Sequence, residues 1–272
     1  MVRGDLDTEG DAPTELHVRV DVMGTVVTLD LFDPDGVSPA ALAPHLDRAR
    51  EVLHEADRTF STWRDDSPIS RLRRGELTVD EAPADVAEVL TACRVARDLS
   101  GGWFDPWAIP GGVDPTGYVK GWAAQRALFV LAPSGVRGAI VNAAGDVASW
   151  GGVADGAPLR IGVADPADPT RLACVVELRG AIATSGTYER GQHLVDPRTG
   201  RAGSRAASAS VCGPDGGLAD ALATALAVGG AEVLERLESL QGYEALMIAA
   251  DGTRSWTTRF PFAPATSAPA RR

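Results

Sequence analysis

The chain has 272 residues, 44% of them apolar, enough for one large or two small domains around a sizeable core. Its net charge of −11 argues against broad binding to nucleic acid or anionic membranes, and no apolar run approaches the length of a bilayer crossing. Three widely spaced cysteines, Cys93, Cys174 and Cys212, match neither a disulfide framework nor a zinc pattern, so buried free thiols are expected.

Residues 1–15 are acidic and polar and read as a disordered leader. They lack the apolar stretch of a secretory signal, which places the protein in the cytoplasm if this is its native start. Residues 16–32 alternate apolar and polar around Met23-Gly24, the pattern of two strands or one bent strand. Ser38-Pro39 opens a helix to about Arg58 by the N-cap and first-turn proline rule. A second helix runs from about Pro83 to Leu99, stopped by Gly101-Gly102, and a third starts near Tyr118.

Beyond Ser134 the pattern changes to short strands at 139–143, 158–163, 173–178, 181–185 and 207–211. Helices from about Leu218 to Val228 and Ala231 to Leu240, then a strand at 245–250, close the fold, and 263–272 form a Pro/Ala tail. Strands mixed with non-alternating helices favour an α+β class over a doubly wound sheet. Neither GxGxxG after a strand nor GxxxxGK[ST] occurs, so those two phosphate-binding devices are absent.

Several segments could carry chemistry. Asp220 and Thr224 are four apart on a helix and share a face, offering two hard oxygen ligands of the kind Mg²⁺ prefers. An early-helix acid and a back-bonded threonine would look the same. Asp114 to Trp122, DPTGYVKGW, holds an acid, a tight turn and Lys120, the one lysine among 26 basic residues. That junction suits a phosphate or a flavin carbonyl, or is an ordinary helix start. Trp63 beside Arg64 could stack on a heterocycle or simply cap the first helix. Asn142 to Asp146, NAAGD, ends a strand in a turn whose acid could bind ribose hydroxyls or cap the turn. GGWFDPW at 101–107 offers aromatics and Asp105, or a packed loop. Thr184 to Gly200, TSGTYERGQHLVDPRTG, combines a Thr-Ser-Gly turn, His193 and an Asp-Pro-Arg-Thr-Gly turn, and is either a proton-moving site or a surface hairpin.

In chain order these segments resemble the ApbE family, the FAD:protein FMN transferases. The resemblance rests on MGT at 23–25, FSTWRDDSPISRL at 60–72, DPTGYVKGW at 114–122, NAAGD at 142–146, TSGTYERGQHLVDPRTG at 184–200 and ADALATAL at 219–226. It implies an ApbE-like, T-fold-like architecture of mixed and antiparallel sheets with flanking helices, and an FAD site between a helix-rich and a β-rich part. It further implies transfer of FMN from FAD, with Mg²⁺, to a Thr or Ser of an acceptor flavoprotein through a phosphodiester bond, with AMP leaving. Met23 and Trp63 would pack on FAD, Trp103, Phe104 and Asp105 would line its pocket, and Asp114 and Lys120 would contact its polar groups. Asp220 and Thr224 would bind Mg²⁺ with backbone carbonyls at Gly117 and Gly217, and His193 would take the proton from the acceptor hydroxyl. Activity would then fall below a pH near ~6.5.

The chain departs from the family in three places. Trp63 stands for the usual Tyr, Thr187 for the usual Asp, and NAAGD for NAGGD. No acceptor-like Asp-Gly-x-Thr/Ser-Gly/Ala-Thr segment occurs, so self-modification is not implied. An FAD pyrophosphatase releasing FMN and AMP, or a flavin-binding protein without turnover, would share most of these motifs.

Overall fold

A computed structural model describes residues 15–33, 36–153, 157–186 and 194–264. His193, most of the expected leader and most of the expected tail lie outside the described residues.

The chain begins as an antiparallel hairpin, β1 (Glu15–Val22) and β2 (Thr25–Phe32), joined by the two-residue turn Met23-Gly24. Both turn residues have positive φ, 55° and 66°, the backbone that matches the twist of such a hairpin. Helix α1 (Pro39–Phe60) follows, with the Ser38 hydroxyl accepting from the amide of Ala41 as the sequence predicts. Within 60–72 lies a short helix, α2 (Pro68–Arg73), capped by Ser67, whose own hydroxyl donates to the carbonyl of Ser61. Helices α3 (Ala84–Leu99) and α4 (Thr116–Leu131) complete the N-terminal half.

Strands β3 (Gly138–Ala143) and β4 (Asp146–Gly151) form a second tight hairpin around Ala144-Gly145. The chain then leaves for a separate hairpin, β5 (Leu159–Asp165) and β6 (Asp168–Leu178), and returns as β7 (Gly180–Gly186) beside β4. A small hairpin, β8 (Val195–Asp196) with β9 (Arg201–Ala202), closes over the expected Asp-Pro-Arg-Thr-Gly turn. Strand β10 (Ser208–Gly213), helices α5 (Gly216–Gly229) and α6 (Ala231–Ser239), and strands β11 (Glu244–Ile248) and β12 (Arg254–Trp256) finish the fold.

Eight strands make one antiparallel sheet in the order β1-β2-β3-β4-β7-β10-β11-β12. Alternation along each strand sends side chains to two different cores. Ala139, Val141, Ala143, Ala183, Ala209 and Val211 face the helices. Ile140, Val147, Ile182, Cys212 and Leu246 face the β5–β6 hairpin on the other side. The helix-rich and β-rich stretches of sequence are therefore layers of one α+β unit sharing a sheet. Alanines on the helical face let α4 and α5 lie close to the strands. All three cysteines are free and buried, and no described helix is long and apolar enough to cross a membrane.

Candidate active site

Two glycines bring the site together. A methyl group on Gly121 of α4 would lie 2.0 Å from the carbonyl oxygen of Gly216, and one on Gly216 would lie 2.5 Å from that of Gly121. Only glycine permits this approach of α4 to α5. Gln125 locks the crossing, accepting from the amide of Gly216 at 2.7 Å and donating to the carbonyl of Pro214 at 2.9 Å. Asp215 caps α5 by accepting from the amide of Leu218 at 2.7 Å.

The crossing lays the face of α5 that carries Asp220 and Thr224 against the first turns of α4. Asp220 is only 2% exposed, and its Oδ2 accepts from the amide of Gly121 at 3.3 Å. Burial raises its pKa well above the usual carboxylate range; the nearby Asp146 carboxylate pushes the same way, and the Lys120 charge and backbone amides oppose them. One turn on, the Thr224 hydroxyl lies 3.2 Å from that of Ser185 at the end of β7. Gly117 completes the group: a methyl there would meet the Thr224 hydroxyl at 3.2 Å and the Phe104 ring at 3.4 Å. Its ψ of 15° breaks the helical run within α4 and turns its carbonyl out of the helical direction.

Lys120, the next polar residue along α4, forms an ion pair with Asp146, the first residue of β4. Asp146 is 1% exposed and follows a turn in which the Asn142 side chain accepts from the amide of Gly145 at 2.9 Å. Strand pairing puts the Met23-Gly24 turn, the Ala144-Gly145 turn and Ser185 at one end of the sheet. The site therefore sits where that end meets α4 and α5.

The structure thus gathers Gly117, Lys120, Asp220, Thr224 and Phe104 from the expected set. It adds Asp146, read in sequence as either a turn cap or a ribose ligand, and Ser185, near the end of the strand expected over 181–185. The remaining expected residues stand otherwise. Asp114 accepts from the amide and hydroxyl of Thr116 and pairs with Arg73 at 3.5 Å, fixing the start of α4. Asp105 pairs with Arg97 at 2.8 Å and accepts from the amide of Trp107. Met23 packs against the main core, while Trp63 stands 95% exposed between α1 and α2.

Trp103 is 1% exposed, lies against Gly229, and has the guanidinium groups of Arg198 and Arg205 at 3.6 and 4.6 Å from its ring. The bare α-carbon of Gly217 accommodates the Tyr118 ring, which a methyl would approach to 2.4 Å.

Among the described residues no cluster of three or more His, Cys, Asp and Glu side chains forms. The donors gathered at Asp220 are one carboxylate, one hydroxyl and the reoriented backbone at Gly117, all hard oxygen atoms. That set suits a cation that keeps waters and substrate phosphate oxygens in its coordination shell, as Mg²⁺ does, and does not suit zinc.

The ApbE family matches residues 23–111 and 108–247 of this chain. An FAD:protein FMN transferase of Rhodobacter capsulatus is 36% identical over 151 residues, which cover 52% of this chain and 29% of that relative. A second, from Klebsiella pneumoniae (strain 342), is 28% identical over 151 residues, covering 52% of this chain and 43% of the relative. The matched region therefore spans less than half of either. Among solved structures, the flavin transferase ApbE from Vibrio cholerae superposes with a TM-score of 0.77 at 23% identity, over 91% of this chain and 98% of that one. An ApbE protein from Thermotoga maritima gives 0.78 at 21% identity, over 90% and 97%. With most of its length matched and the fold shared, the chain belongs to the ApbE family.

Proposed function

We propose that this protein transfers the FMN half of FAD, with Mg²⁺, to a Thr or Ser hydroxyl of an acceptor protein. The observation that carries the reading is the oxygen set of buried Asp220 with half-buried Thr224 and Gly117, and Lys120 beside it, in a member of a family whose relatives are named FAD:protein FMN transferases.

In this reading Asp220, Thr224 and the Gly117 carbonyl hold the cation, with the Gly217 carbonyl as the further backbone donor. A cation bound there would neutralise charge on the phosphoanhydride oxygens. Lys120 adds a compact ammonium at the same end of the sheet, where phosphate oxygens of FAD would lie. The Ser185 hydroxyl orients that of Thr224. Phe104 and Met23 supply apolar surface for the flavin nucleotide, and exposed Trp63 supplies a ring free to stack on it. The acceptor oxygen bonds to the FMN phosphorus as the bond to AMP breaks. His193 takes the hydroxyl proton, and AMP departs with the bridging oxygen.

The test separates site from scaffold. Asp220→Ala is expected to abolish metal-dependent AMP release while the thermal transition stays cooperative. His193→Ala is expected to keep FAD binding and lose transfer. Unchanged activity in Asp220→Ala would remove the metal assignment.

A further inference from the structure

Two buried carboxylates, Asp146 and Asp220, face a single ammonium, that of Lys120. The three groups come from β4, α5 and α4, so their mutual placement is fixed by packing rather than by local sequence. Lys120 and Gly121 are consecutive on α4, and Gly121 donates to Asp220. The lysine is thus rooted beside one carboxylate while its ammonium is held by the other.

This choice of partner matters for a cation site. An ammonium seated on Asp220 would occupy the carboxylate that the metal needs and would repel the metal as well. The residue type fits the same logic. Every other basic residue of the chain is arginine, whose wider planar fork reaches two carboxylates at once more readily than a compact ammonium does.

We propose that Asp146 is a positioning residue that holds the Lys120 ammonium off the Asp220 carboxylate, keeping that carboxylate open to a divalent cation. The inference rests on the metal reading above and assigns Asp146 neither to the metal nor to the flavin. It accounts for a buried acid immediately after a tight turn. It also gives the Ala144-Gly145 turn a task, which is to aim Asp146 at α4.

The test is the affinity for Mg²⁺ alone, measured by calorimetry on the whole chain without FAD, in wild type, Asp146→Asn, Lys120→Met and the double variant. Circular dichroism checks each fold. The wild type is expected to bind, and Asp146→Asn to bind about tenfold more weakly, the scale for loss of a group that supports a metal ligand. Lys120→Met should bind at least as tightly as wild type. In that background the Asp146→Asn loss should shrink to under about threefold, because the competing ammonium is gone. Wild-type affinity in Asp146→Asn, or an equal loss in both backgrounds, overturns the proposal. Should Asp146→Asn not fold, Lys120→Met decides: weaker binding than wild type overturns the proposal, and equal or tighter binding supports it. A wild type that does not bind Mg²⁺ removes the metal reading itself, a result distinct from either failure.

Discussion

Gly121 and Gly216 meet backbone to backbone, with no room for a methyl group on either. This one crossing sets where α5 delivers Asp220 and Thr224 and where α4 delivers Gly117 and Lys120. The site inherits its geometry from it.

Gly121→Ala must therefore push the two helices apart. With a backbone oxygen 2.0 Å from the new carbon, no rotamer can relieve the contact. A loss of about 1–3 kcal/mol or more is expected from chemical denaturation, the scale of overpacking in a tight interior. Weakened Mg²⁺ binding should accompany it, since the Gly121 amide also donates to Asp220.

Ala144 stands at φ 55°, a left-handed conformation that costs a residue with a β-carbon. Ala144→Gly, which restores the motif usual in the family, should raise stability by about 0.5–1 kcal/mol after the added freedom of the unfolded chain is counted. A denaturant midpoint that stays put or falls would show that the turn carries no such strain.

How much of this was legible in the sequence depends on how local each signal is. The Ser38-Pro39 cap and the Gly101-Gly102 stop lie within a turn of the structures they govern, and helices α1 and α3 follow them closely. Helix α2 is hidden because six residues are too few to show a helical period. Strand β4 is hidden because Asp146-Val-Ala-Ser has little β-branched character. In the site, Asp220 and Thr224 share a face by spacing alone, whereas the partner of Asp146 lies 26 residues away and Ser185 meets Thr224 across 39. Trp103 could not be placed from its neighbours because its arginine partners come from beyond residue 190.

That stack makes its own prediction. Arg198 also pairs with Glu232 at 3.0 Å, tying the β8–β9 hairpin to α6. Arg198→Ala should cost about 0.5–2 kcal/mol, the range for a cation on an indole face. Trp63→Ala, by contrast, should leave the melting temperature within about 1 °C, because a surface residue away from special features contributes little to stability. Its effect should appear in FAD affinity, measured by fluorescence quenching.

Alkaline pH should unfold the protein through its thiols. Burial pushes Cys93 up to about 12 and Cys174 up to about 11, and raises Cys212 further. The unfolded chain ionises near ~8.5. Folded pKa values above unfolded ones mean that this contribution is fully present below ~8.5 and is lost as pH rises toward the folded values. Above ~8.5 the loss should be about 1.4 kcal/mol per pH unit for each thiol, read from denaturant midpoints between pH 7 and 10. The same thiols should resist alkylation in the native protein and react after unfolding.

The most direct test of the central claim is the mass of an acceptor peptide bearing the family's target motif after incubation with the protein, FAD and Mg²⁺. Transfer predicts one added FMN, an equal amount of AMP, and loss of both with EDTA. AMP without an adduct, or neither product, would contradict the transferase.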